Sequence, residues 1–142
     1  MYLMDVNIFV YAHREDVADH SLYREWLEFV LNSDDFYGVS ELVLSGFLRV
    51  VTHPKVFNKP TPIADAVTFI RQVKEKSNAI VVSPKERHWS IFENLVTSTQ
   101  ARGNLIPDAY HAALAIEAGC EWVTTDKGFK RFKRLTVKHP LK

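Results

Sequence analysis

The chain has 142 residues, 46% of them hydrophobic and 25% charged, which suits a single domain over residues 1–142 and excludes global disorder. Its one cysteine, Cys120, excludes a disulfide framework and any multi-cysteine zinc site. The net charge of +1 conceals an asymmetry: residues 1–41 hold nine acidic groups against Arg14 and Arg24, whereas beyond Asp126 every Lys, Arg, Asp or Glu is basic.

The first predicted element carries a puzzle. In MYLMDVNIFVYAH, residues Leu3, Met4, Val6, Ile8, Phe9 and Val10 read as a chain heading into a core, yet Asp5 and Asn7 stand among them. Burying an unpaired carboxylate is costly. Residues 2–4 suit a strand, and either Asp5 or Asn7 suits an N-cap for a helical segment leading to Ala12. There is no basic n-region, Asp5 interrupts the apolar run too early for a signal peptide, and no apolar stretch approaches the ~20 residues of a membrane span. The expectation is a cytoplasmic protein with no membrane association.

A helix over 20–31 follows, with Tyr23, Trp26, Leu27 and Val30 at helical spacing. Residues 36–39 suit a buried strand, and 41–52 a helix presenting Leu44, Phe47, Leu48 and Val51. The Pro-rich stretch HPKVFNKPTP connects this helix to the next, over 62–76. A strand at 79–82 and a helix over 86–101 come next. The helix over 107–118 has Pro107 in its first turn and closes at Gly119. A strand at 122–124 and a weaker one at 135–137 complete the series. Short apolar strands alternating with helices predict an α/β fold, a three-layer α/β/α sandwich around a parallel sheet of four to five strands. Ligands of such sheets collect beyond the carboxyl ends of the strands.

Four acids stand at those ends. Asp5 follows the first strand, Glu41 the second, and Asp126 the strand in EWVTT, while Asp108 lies in the first turn of the helix that begins near Pro107. Each has an ordinary structural explanation. Glu41 and Asp108 complement a helix dipole by about 0.3–1 kcal/mol, Asp126 in Asp-Lys-Gly is a turn former, and Asp5 is a helix cap. Four such accidents at four converging junctions are harder to accept together. Two carboxylates about 4 Å apart repel by roughly 4 kcal/mol at an effective dielectric of 20. The neighbouring sequence offers little fixed cation near Asp5, Glu41 or Asp108, although Lys127 adjoins Asp126. Shared protons or a divalent ion must then compensate, and all-oxygen ligation selects Mg²⁺ or Mn²⁺. The chemistry that follows is phosphodiester hydrolysis, with one carboxylate positioning or deprotonating the attacking water. The basic C-terminal stretch then gains a use in holding flanking phosphates.

MYLMDVNIFVYAH, SELVLSGFLRVVTHP, NLIPDAYHAALAIEAG and EWVTTDKGF resemble, in order and over essentially the whole chain, the four acidic blocks of PIN domains. More closely they resemble the VapC-type toxins of bacterial and archaeal toxin–antitoxin pairs. The resemblance implies a Mg²⁺- or Mn²⁺-dependent endoribonuclease in which Asp5, Glu41, Asp108 and Asp126 form the catalytic quartet. It implies Asp5 and Asp108 as direct metal ligands, Asp126 in the metal shell, and Glu41 acting on the nucleophile and its water network. Asn7 and Thr125 match positions that support the quartet by hydrogen bonds. It further implies a homodimer and inhibition by a small VapB-like antitoxin.

Other candidates are weaker. The six histidines show no HExxH and no close pair. His111, one turn beyond Asp108, faces either the groove or the core. Cys120, beside a strand, suits a small buried residue rather than a nucleophile. Trp26, Trp89 and Trp122 occupy apolar positions and are read as core, as are Tyr11, Phe57 and Phe129 in preference to base stacking. An aspartyl phosphatase is disfavoured because position 7 is Asn rather than a second acid. The remaining alternative is a non-catalytic RNA- or partner-binding module on the same fold.

Overall fold

A computed structural model describes residues 1–142. Five strands, β1 (Tyr2–Met4), β2 (Tyr37–Val39), β3 (Ala79–Val81), β4 (Glu121–Val123) and β5 (Val137–Lys138), form one parallel sheet in the order β3-β2-β1-β4-β5. Six helices connect them: α1 (Val6–His13), α2 (His20–Leu31), α3 (Glu41–Val51), α4 (Ile63–Lys74), α5 (His88–Ser98) and α6 (Leu105–Ala118). The α/β architecture expected from the alternation of elements is the one observed.

Topology fixes the layers. From β1 to β3 the chain steps one way across the sheet, then crosses back over β1 to enter β4 on the other side. Parallel crossovers are right-handed, so α1–α4 cover one face and α5 and α6 the other. The helix contacts agree, since α1 packs on α2 and α3, α3 on α4, and α5 on α6. The reversal of direction falls between β1 and β4, which pair through Tyr2↔Glu121, Leu3↔Trp122 and Met4↔Val123. That boundary is the topological switch point, where the crevice beyond the strand ends opens.

The core is one cluster of 32 buried residues in which Leu3, Phe9, Phe47, Trp122 and Phe129 are almost fully enclosed. The central strands are buried as expected, but β3 is not. It is an edge strand, with Ile80 and Val81 exposed. The expectation that Trp89 belongs to the core is also overturned, since it lies on α5 and is 63% exposed, resting on Phe92 at 5.1 Å between ring centroids. Trp122 is fully buried and Trp26 partly so. Tyr11 packs on Tyr23, Phe57 lies under the Arg14 guanidinium, and Phe129 is buried against Trp122, so all three are packing residues.

Helix ends follow local chemistry. The α6 helix starts two residues before Pro107, which remains in the first turn, where its missing N–H has no intrahelical partner to lose. It ends at Gly119, whose φ of 69° is left-handed and favours a residue without a side chain. The helix expected over 86–101 is shorter, because residues before His88 are held from outside: Glu117 accepts hydrogen bonds from the backbone N–H groups of Lys85 and Arg87.

Candidate active site

Asp5 is the residue that ends β1 and caps α1. Its backbone is extended, and its Oδ1 accepts from the Val6 N–H at 2.7 Å. Its Oδ2 accepts from the Thr124 hydroxyl at 2.7 Å, and its own N–H donates to the Val123 carbonyl across the β1–β4 boundary. These bonds make the carboxylate tolerable in an apolar run. They do not make it comfortable: burial pushes its pKa up to about 6 against the pull of both hydrogen bonds, and the charges of Asp108 and Asp126 push the same way.

Asp126 stands just beyond β4 and is exposed. Its Oδ1 accepts from the Gly128 N–H at 2.8 Å, and its N–H donates to the Thr124 hydroxyl at 3.0 Å. A Cβ at position 128 would stand 3.0 Å from that Oδ1, so Gly128 leaves room for the carboxylate. Asp108, half-buried in the first turn of α6, has its pKa raised by burial and by Asp126, with Arg131 opposing. Asp5, Asp108 and Asp126 thus converge at the switch point closely enough to feel one another's charge.

Glu41 sits apart in character. It opens α3 beyond β2 behind the Ser40 cap, is exposed, and forms an ion pair with Lys74 from the last turn of α4. The shortage of cations near Glu41 expected along the sequence is corrected here, because Lys74 is distant in the chain and arrives only through the fold. Thr124 rather than Thr125 supplies the hydroxyl that links Asp5 to Asp126. Thr125 faces the neighbouring cavity, and its side chain makes no hydrogen bond within the chain. Sequence reasoning missed Thr124 because it read as the last residue of the strand at 122–124, whereas β4 ends at Val123 and frees its hydroxyl for the site. Asn7 lies in the first turn of α1, and its Oδ1 is buried with no hydrogen-bond partner. His111 is turned into the fold, stacked on Trp122 at 5.5 Å, with Nδ1 unpartnered and its pKa lowered to about 4 by burial.

The donor set suits a hard divalent cation. It consists of carboxylate oxygens, and Asp5, Asp108 and Asp126 have no ion-pair partner, since the chain's three salt bridges engage Asp16, Glu28 and Glu41. No three acidic, His or Cys side chains already stand within joint ligating reach, so the acids approach one another without forming a closed cage.

A family model described as PIN domain matches residues 2–135. Ribonuclease VapC43 of Mycobacterium tuberculosis is 43% identical over 141 residues, covering 99% of this chain and 96% of that protein. Ribonuclease VapC25 of the same organism is 38% identical over 139 residues, covering 98% and 96%. Among solved structures, VapBC2 from Rickettsia felis bound to a promoter DNA fragment aligns with a TM-score of 0.69 at 20% identity, covering 96% of each chain. VapBC-1 from nontypeable Haemophilus influenzae aligns with a TM-score of 0.68 at 18% identity, covering 99% and 98%. No helix of the chain is long and apolar enough to cross a membrane.

Proposed function

The chain belongs to the PIN-domain family, and on that premise we propose that it is a Mg²⁺- or Mn²⁺-dependent endoribonuclease, the toxin of a toxin–antitoxin pair, that hydrolyses phosphodiester bonds of cytoplasmic RNA. The observation that carries the reading is the convergence of Asp5, Asp108 and Asp126, which feel one another's charge, lack ion-pair partners and include two, Asp5 and Asp126, joined through Thr124. Relatives more than a third identical over nearly their whole length are ribonucleases by name.

In this reading Asp5, Asp108 and Asp126 would hold the divalent ion once drawn together around it. When bound, that ion supplies positive charge for the developing oxyanion and for activation of water. Thr124 fixes the rotamer of Asp5 and the backbone of Asp126, so that both carboxylates are oriented before the substrate arrives. Glu41, which is ion-paired with Lys74, would orient the attacking water and accept its proton. The Asn7 carboxamide, whose Oδ1 is buried with no partner in the chain, supports the acidic site by hydrogen bonding. The protein acts as a homodimer, and a small VapB-like antitoxin blocks the acidic crevice.

The test is incubation of purified, antitoxin-free protein with total RNA in Mg²⁺, Mn²⁺ or EDTA. Cleavage in either metal, absent in EDTA and abolished by Asp5→Asn, is the expected result. Tight RNA binding without cleavage in either metal would establish the non-catalytic module instead.

A further inference from the structure

Beside Asp126, beyond the ends of β4 and β5, lies a cavity of about 320 Å³ in which Val137 is the one hydrophobic residue. Lys127, Lys130, Lys138 and Lys142 line it together with Thr125 and His139, and the Lys138 ammonium also lies over the Tyr2 ring, 5.6 Å from its centroid. Asp126 is the only acid on its wall. Burial lowers the His139 pKa and the nearby charges of Lys142 and Lys127 lower it further, as their shared place on the cavity wall requires. No lysine here is spent on an ion pair, since none appears in the three salt bridges. On the β2 flank Lys74 is already paired with Glu41. The first 41 residues, which supply Asp5 and Glu41, carry nine acids.

Lysines free of ion pairs therefore line the Asp126 side of the acidic crevice. We propose that this lysine cavity is a subsite for a backbone phosphate of the RNA strand next to the scissile one, so that the substrate leaves the site over β4 and β5 and not over β2 and β3. The proposal rests on the ribonuclease reading, and it adds a direction to the bound strand. A recess lined by four lysines suits a phosphodiester, whose charge ammonium groups meet as point charges without fixed bidentate geometry. Single-strand binding is also the mode in which such lysines supply affinity without reading sequence.

The test is equilibrium binding of a labelled single-stranded RNA in EDTA, which stops cleavage, at KCl from about 50 to 200 mM, where phosphate neutralisation dominates the salt dependence. Removing one lysine–phosphate interaction flattens the slope of log K against log[salt] by about 0.7. Lys127→Ala/Lys130→Ala should flatten it by about 0.7–1.4 and weaken binding several-fold at low salt. Lys55→Ala/Lys59→Ala, which removes the same charge from an exposed loop between α3 and α4, should leave the slope unchanged. Thermal melts identify any variant that fails to fold, and Lys127→Gln/Lys130→Gln then serves in its place. An unaltered slope in the cavity variant, equal flattening in both pairs, or no RNA binding by the wild type would overturn the subsite. Metal-dependent cleavage by a protein that fails this test leaves the nuclease reading intact. Absence of cleavage with a flattened slope removes the nuclease and keeps the phosphate site.

Discussion

Thr124 carries two of the acids on one hydroxyl, donating to Asp5 and accepting from the Asp126 N–H. Thr124→Val keeps the shape and removes both bonds. The buried Asp5 Oδ2 is then short of a donor, which costs about 1–3 kcal/mol and is read by denaturant unfolding. Losing a donor to the charged form also raises the Asp5 pKa further, so the acidic limb of the pH–rate profile should move to higher pH. Thr125→Val removes no internal hydrogen bond and should shift neither unfolding nor that limb. Equal effects from the two threonines would remove Thr124 from its role. Asp108 yields a second measurement. If it is a ligand, the rise in melting temperature on adding Mn²⁺ should shrink in Asp108→Asn, and an undiminished response would take it out of the ligand set.

At the level of elements, much of this molecule was legible. The α2 helix has the bounds that its spacing predicts, and β1 coincides with residues 2–4. Both are settled by local pattern. What the pattern could not give was the status of β3: a short apolar run reads as buried, but strand order made this one an edge. Trp89 failed for the same reason, since α5 covers the sheet with another face. The acids were legible one at a time, as ends of strands and starts of helices. Lys74 and Thr124 were not, because each meets its partner across 33 and 119 residues of chain respectively. Gly119, by contrast, was readable as a helix stop, and its φ of 69° with no atom near a would-be Cβ isolates the backbone effect. Gly119→Ala should cost about 1 kcal/mol in denaturant unfolding with no loss of RNA cleavage. A neutral result would mean that the left-handed turn is not held in solution.

For the molecule as a whole, the acidic crevice and the histidines set opposing pH dependences. Asp5 titrates near pH 6 folded and at an ordinary 3.8 unfolded. Between those values the folded chain holds the extra proton, so stability falls as pH rises through the window, by about 3 kcal/mol at most for this shift. Asp108 acts in the same direction. His111 does the reverse: titrating near 4 folded and 6.5 unfolded, it leaves the unfolded chain with the extra proton, and stability rises with pH across that range. His13 and His139 add to its side. The two contributions oppose each other from about pH 4 to 6, which predicts a shallow profile for the metal-free wild type. Asp5→Asn removes one side of the balance. In EDTA its stability should climb from pH 4 towards 6.5, and at neutral pH it should exceed that of the wild type while cleavage is lost. His111→Phe, which keeps a ring against Trp122, should give the opposite slope, falling from pH 4 to 6. Saturating Mn²⁺ should turn the wild-type profile into that of Asp5→Asn, because an ion that meets the carboxylate charge lifts the penalty that burial imposes on it. Denaturant unfolding at a series of pH values, with and without the metal, reads all three. An Asp5→Asn protein no more stable than wild type at neutral pH in EDTA would mean that the first strand ends on a carboxylate at ease without any cation, and the proposed metal requirement would lose its physical basis.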